Sequence, residues 1–451
     1  MRRFALIVFL IATCSGRAGG PPPAGRASGA LPEVAAATSG PRGGPQARTV
    51  RMDYRLFPGL ANMDGNWSAL LASSDGKVYA GLAYHGGDGH LVYYDPSVDL
   101  VHDVGALTFL CGEQGLGRGP QSKIHTKLGE GKDGRIYFAT QYGLDFNFAR
   151  YDTPEGYPGG HLMAYDPNSG RTIDFGVGIP HEGWVTGRYD PLYNRIYGIT
   201  DPRGHFVYYD VATLSVSDKG RINNWESLCR SLGIDDHGNV YGSFGQGRVF
   251  KYDAKTDEIR ELSIRLPIHQ KGSCLGRDYK KSETAWRVVV WDEQTRRFYG
   301  VEESASTLFS FDPDKGADGE VRPLGQLCIQ GVEDRRDIPY ATLSLTLGND
   351  RKLYYAAAGR EFDYAGSAAL GASHLIVYDL LSGKIEDRGE MQLPDGRLVI
   401  GTNSADTGPD GTIYFVGAIP VNAESGKAVE AAGKIGGVYY RLALLIYHPH
   451  P

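Results

Sequence analysis

A short motif recurs along the chain and restricts its fold more than any other feature. It is an Asp-Gly-type turn, one further residue, then Ile or Val and Tyr: Asp75-Gly76-Lys77-Val78-Tyr79, Asp133-Gly134-Arg135-Ile136-Tyr137, and versions ending at Tyr197, Tyr241, Tyr299, Tyr354 and Tyr414. An aromatic–acid pair follows each copy: Tyr94-Asp95, Tyr165-Asp166, Tyr209-Asp210, Tyr252-Asp253, Phe311-Asp312 and Tyr378-Asp379, with the last copy degenerating to Tyr447-His448. A turn followed by two alternating apolar segments, repeated every roughly 45 to 60 residues, specifies an array of similar sheets.

Each copy reads as four strands, and the outermost carries its own echo in His102-Asp103-Val104-Gly105, Ile173-Asp174-Phe175-Gly176, Ser217-Asp218-Lys219-Gly220 and Glu386-Asp387-Arg388-Gly389. Four antiparallel strands in each of seven units predict an all-β fold, a seven-bladed β-propeller. The 62 glycines and 28 tyrosines suit many short strands and tight turns. The last copy lacks an outer strand before the chain ends. The alternating segment 49–57 is a candidate to supply it, closing the ring and removing two open sheet edges.

Residues 1–20 read as an export signal: Arg2 and Arg3 precede an apolar run too short to span a bilayer. Ile11-Ala12-Thr13-Cys14 resembles a bacterial lipobox, although Thr13 departs from the usual Gly, Ala or Ser, so a lipid anchor on Cys14 is the secondary reading. Residues 21–48 are Gly, Pro and Ala with almost no large side chains, the composition of a disordered tether. The propeller then occupies 49–451. No later apolar run is long enough for a transmembrane segment, so the expected location is periplasmic, extracellular or lipid-anchored at the cell envelope. A net charge of −6 without a basic stripe excludes a nucleic-acid partner. Beyond Cys14 stand Cys111, Cys229, Cys274 and Cys328, an even number that permits two disulfides, with no Cys-x-x-Cys to suggest a thiolate zinc site.

The repeat divides the 12 histidines. His90, His161, His205 and His374 each precede the third-strand tyrosine by four positions. One residue type at one register in four sheets is expected to be structural. His85, His125, His181 and His269 fall outside that register. His125 opens an inner strand near the axis, His181 lies in the link before the third sheet, and His85 is in an adjacent link. Each could equally cap a loop or bond a backbone carbonyl. Aligning the inner strands puts Arg230 at the height of His125, with Arg287 and Lys127 close by and Tyr340, Asn403, Trp67 and Trp184 at the rim. Converging cations suit a carboxylate-bearing ligand and aromatic faces suit sugar rings. Against this, large aromatics also fill the wedge between blades, and Arg230 and Arg287 could pair with Glu226 and Glu283. Glu130 and Arg188 read as a structural pair. Two or three histidines could hold a divalent ion, the cofactor otherwise being unspecified.

In its repeats and off-register histidines the chain resembles the secreted seven-bladed propellers of bacteria, including polysaccharide lyases of the ulvan-lyase and rhamnose–glucuronate-lyase kind. It is also similar to quinoprotein-like, strictosidine-synthase-like and virginiamycin-lyase-like propellers. The lyase resemblance implies an axial site in which histidine and tyrosine act as base and acid while a cation neutralises a uronate carboxylate. On this chain that implies His125 or His181 as base, Tyr340 or Tyr151 as acid and Arg230 as neutraliser, with Lys127, Trp184, Arg287, Tyr151 and Trp67 contacting substrate. The expected function is cleavage of an acidic polysaccharide or oligosaccharide by β-elimination. The alternative is a non-catalytic propeller that binds a glycan or protein ligand on the loop-rich face.

Overall fold

The computed structural model describes residues 48–143, 156–222, 229–267, 285–303, 306–327, 341–357, 372–421, 431–435 and 438–449. Of the sequence expectations, Tyr151, Tyr340, His269, Glu226, Glu283, Cys274, Cys328 and the leader lie outside those residues.

The repeat motif folds as its side chains dictate. In the first sheet the Asp75 carboxylate accepts the Lys77 N–H at 2.9 Å, tightening the turn, and accepts the buried Tyr79 hydroxyl at 2.7 Å. The same tyrosine-to-aspartate bond joins Tyr137 to Asp133 (2.9 Å) and Tyr354 to Asp350 (2.8 Å). The motif therefore pairs Asp with Tyr because the ring fills the core while its hydroxyl needs an acceptor at the turn. The second acid of each copy has a different task. Asp95, Asp166, Asp210, Asp253 and Asp379 each accept the N–H two residues on, capping the turn into the outermost strand.

Seven sheets result, the first five ordered from inner to outer strand along the chain. The first runs Leu70–Ala72, Val78–Leu82, His90–Asp95 and Leu100–Ala106, all neighbours antiparallel. The third, fourth and fifth follow the same scheme, and the fold is a seven-bladed β-propeller. In the second sheet the inner edge is split into two short strands, Lys123–Ile124 and Gly129–Glu130, both paired with Ile136–Gln141. His125 sits in that interruption.

Ring closure uses the N-terminal segment, with a refinement. Asp53–Leu56 pairs antiparallel with Val438–Tyr447 as the outer strand of the seventh sheet, Asp53 opposite Ile446 and Leu56 opposite Ala443. Thr49–Arg51 instead adds to the sixth sheet, running parallel to Ile385–Gln392. The expected single strand is thus two, broken at the fully buried Met52, and the segment ties the sixth and seventh sheets together.

The in-register histidines are struts, as the symmetry argument required. His90, His161, His205 and His374 each present Nδ1 to an aspartate thirteen residues later: Asp103 (3.0 Å), Asp174 (3.0 Å), Asp218 (2.8 Å) and Asp387 (2.9 Å). These are the aspartates of the outer-strand echo. The antiparallel register slips beside the histidine or one residue on, and the echo's glycine takes a positive φ there, as at Gly176 (91°) and Gly220 (88°). In the second and third sheets that glycine's N–H bonds the same aspartate. Asp-x-Gly therefore encodes a β-bulge, and the histidine bridges it. In the fourth sheet Arg248 and Glu261 occupy the same pair of positions and make the link as an ion pair at 3.3 Å.

Candidate functional site

The axis is lined by the inner strands, where alternate residues point to one face. Lys123, His125 and Lys127 follow that alternation in the second sheet, and the structure brings the first two together with Arg230 and Arg287 from the fourth and fifth. Trp67 provides the floor. Its indole stacks on His125 (centroids 6.0 Å apart, planes 7° apart), meets the edge of His85 at 4.9 Å, and lies beneath the Lys123 ammonium at 5.3 Å. A cavity of about 300 Å³ continues along the axis, bordered by Ser68, Lys127, Arg188, Arg230, Asn349 and Asp406 among others.

The electrostatics of this cluster are set by burial and by cations held close to one another. Lys123 is 5 % exposed and, among the described residues, makes no hydrogen bond or ion pair through its ammonium; burial and the nearby Arg230 push it down to about 8, with Asp201 and Asp64 opposing. His125 is equally buried. Burial, then Lys123, Arg230 and Arg287, hold it well below the ordinary histidine range, so it is neutral at pH 7, and its Nδ1 has no hydrogen-bond partner among the described residues. Asp201 is fully buried and pushed up to about 6 by that burial, although Tyr142 and Gln141 donate to it and Arg230 and Lys123 favour its charge. Arg287 reaches Glu303 at 3.4 Å, and Glu283, the partner the sequence offered, lies outside the described residues.

Other expected residues take different places. Trp184 is fully buried among Tyr137, Ala139 and Leu162 between the second and third sheets, packed against Gly160, Gly178 and Gly198; it is a wedge residue with no face open to a sugar. His181 sits at positive φ with Nδ1 on the Tyr157 carbonyl at 2.8 Å, the loop-fixing role foreseen as its alternative. His85 is fixed by Asp64 at 2.8 Å. Lys127 pairs with Asp406 at 3.2 Å while still bordering the cavity. Glu130 and Arg188 are not a pair: Glu130 receives the Ser74 N–H and hydroxyl across the first and second sheets, and Arg188 reaches the Leu232 carbonyl at 3.5 Å. Cys111 and Cys229 are free, buried thiols.

Sequence reasoning passed over Lys123, Asp201 and Asp64. Lys123 was detectable, being two positions from His125 and hence on the same face of the strand. Asp201 and Asp64 lie outside the repeated register and carry no local signal. Among the described residues, the donors close enough to share a metal ion also lie elsewhere: Cys111, Glu113 and His161.

No protein-family model and no curated protein matches the chain. Solved structures do. The chain is similar to virginiamycin B lyase of Staphylococcus aureus (TM-score 0.53, 11 % identity, 88 % of this chain and 99 % of that one). It is comparably similar to the WD40 repeats of RRP9 (TM-score 0.53, 12 % identity, 88 % and 97 %) and to a copper-complexed fungal alcohol oxidase of the AA5 family (TM-score 0.53, 12 % identity, 86 % and 75 %). At such identities the likeness is one of fold, and propellers host unrelated functions. Among the described residues no helix is long and apolar enough to cross a membrane.

Proposed function

We propose that the axial chamber binds the carboxylate of a uronic-acid-containing glycan and that the protein is an exported lyase acting on it by β-elimination. The observation that carries this reading is the arrangement of Lys123, Arg230 and Arg287 around a neutral imidazole over an indole face. A protein of net charge −6 has gathered cations at its axis, and among the described residues the buried Lys123 ammonium makes no direct ion pair, with Asp201 and Asp64 only nearby.

The chemistry follows from those groups. Neutral His125 takes the proton from the carbon next to the carboxyl group. The electron pair moves into an enolate-like carboxylate, which Arg230 and Lys123 stabilise where charge develops. The pair then forms the ring double bond as the glycosidic oxygen leaves with a proton from an acid, for which Tyr151 and Tyr340 remain the sequence candidates. His125 is preferred over His181 as base because it stands among Lys123, Arg230 and Arg287.

One observation favours the second reading, a binding propeller without turnover. His125 Nδ1 has no acceptor to fix its tautomer, whereas a general base is usually oriented through that nitrogen. A panel of acidic polysaccharides separates the two: elimination generates an unsaturated uronate absorbing in the near ultraviolet, which His125→Ala should abolish. Saturable binding without any absorbance gain would replace the lyase reading by the binding one. Neither binding nor absorbance gain would remove both.

A further inference from the structure

Of the four histidine struts, three link strands only. The fourth, His161, faces a second set of groups. Its Nδ1 is held by Asp174, which leaves Nε2 turned towards a loop that follows the first sheet. That loop begins with the short helix Leu107–Leu110, and the backbone then folds back on it: Cys111 N–H bonds the Leu107 carbonyl and Glu113 N–H the Thr108 carbonyl. The effect is to bring a Cys-x-Glu pair against His161 from the neighbouring sheet. Cys111 Sγ, a Glu113 carboxylate oxygen and a His161 ring nitrogen all lie within 4.8 Å of one another, and the three residues are 8 %, 5 % and 5 % exposed.

The geometry within this cluster is unlike that of a simple polar contact. His161 Nε2 is 3.2 Å from Glu113 Oε1, yet among the described residues this buried nitrogen makes no well-formed hydrogen bond. Two donors bound at about 2.0–2.2 Å to one tetrahedral ion stand roughly 3.3–3.6 Å apart and point at the ion, not at each other. The neighbouring contacts orient the three groups, although the Arg118 guanidinium also donates to Glu113 Oε1 at 3.2 Å, a bond that an ion would replace. Asp174 fixes the tautomer that leaves Nε2 as the ligand atom, and Gln121 donates to the other Glu113 oxygen at 3.1 Å.

We propose that Cys111, Glu113 and His161 form a binding site for a zinc-class divalent ion, separate from the axial chamber. A thiolate, an imidazole and a carboxylate together match the borderline softness of zinc and disfavour calcium or magnesium, which prefer all-oxygen sites. Three protein ligands leave a fourth position for water. The competing occupant is a proton: burial opposes charge on His161, but Asp174, Cys111 and Glu113 outweigh it and push the imidazole up to about 11 in the ion-free protein. The site then would be an imidazolium held between carboxylates.

The full chain, stripped with chelator, is titrated with cobalt(II), which reports a tetrahedral site by its visible bands and a thiolate ligand by a near-ultraviolet charge-transfer band. The expected result is saturation at one equivalent, reversal by zinc, loss of the charge-transfer band in Cys111→Ser, and at least about 100-fold weaker binding in His161→Gln. His205→Gln, which removes the equivalent strut in the third sheet, should leave the titration unchanged. Circular dichroism verifies that each variant is folded, and Glu113→Gln is the alternative should either ligand variant not fold. No saturable cobalt spectrum, or one that Cys111→Ser, His161→Gln and Glu113→Gln all leave unchanged, would overturn the proposal in favour of the imidazolium clamp.

Discussion

Replacing Lys123 by methionine should make the protein more stable and less able to bind an anion. The lysine is buried, makes no direct ion pair among the described residues, and is held at about 8 where its ordinary value is 10.5. A tenfold change in proton affinity is about 1.4 kcal/mol, so the charged form withholds about 3 kcal/mol from folding at pH 7. Methionine has a similar volume and no charge to desolvate, which makes that figure the upper limit of the gain. With an unfolding entropy of about 2.1 cal/mol/K per residue across the propeller, it corresponds to roughly 4 °C in Tm. The pH dependence gives the argument its sign. A lysine with a lowered folded-state value binds fewer protons folded than unfolded between about pH 8 and 10.5, so wild-type stability from this group rises through that window. Calorimetry of both proteins should therefore show the variant ahead by a few degrees at pH 7 and the two converging near pH 10.5. In the wild type, affinity for an anionic ligand should fall as pH rises past about 8. A variant that is less stable at pH 7, or whose advantage is the same at pH 10.5, would refute the idea that Lys123 is a strained charge retained for a ligand.

Three further outcomes follow from the packing. Trp184→Ala should cost about 3–5 kcal/mol by opening a cavity between the second and third sheets, measured by denaturant unfolding, whereas Trp67→Ala, also at a buried position, should lower ligand affinity as well as stability. His374→Ala should cost about 1–2 kcal/mol because it strips a partner from Asp387, only 8 % exposed, while His205→Ala should cost under about 1 kcal/mol because Asp218 is 40 % exposed. Deleting residues 48–56 should expose the edge of Val438–Tyr447 and produce aggregation or a large fall in Tm, detectable by size-exclusion chromatography.

The fold was legible because its signal is repeated and local. Asp-Gly turns, buried tyrosines and capping aspartates recur often enough to count sheets, and each proves to have a backbone or hydroxyl partner that explains its spacing. The strut was half legible. Both the histidine register and the Asp-x-Gly echo could be read in the sequence, and their constant separation of thirteen, shared by Arg248 and Glu261, would have joined them. The site was less so. His125, Arg230 and Arg287 could be placed by aligning strands, since height along the axis follows from register. Whether Trp184 faces a ligand or a wedge depends on which neighbouring glycines leave room for it; Gly198 recurs after the motif tyrosine as Gly242 and Gly300 do, and Gly160 before the strut histidine as Gly89 and Gly204 do, but nothing in the sequence assigns either to Trp184. Cys111 and Glu113 reach His161 through a loop fold that no period predicts.

The central claim is that the axial cations recognise a glycan carboxylate. Its most direct test is calorimetric titration of the wild type with a uronate oligosaccharide and with the same oligosaccharide after carboxyl reduction, repeated on Arg230→Met. The account predicts binding of the acid form, loss of at least about tenfold on reduction for a charge-assisted contact, and little discrimination in the variant. Equal affinity of the wild type for both forms would contradict it.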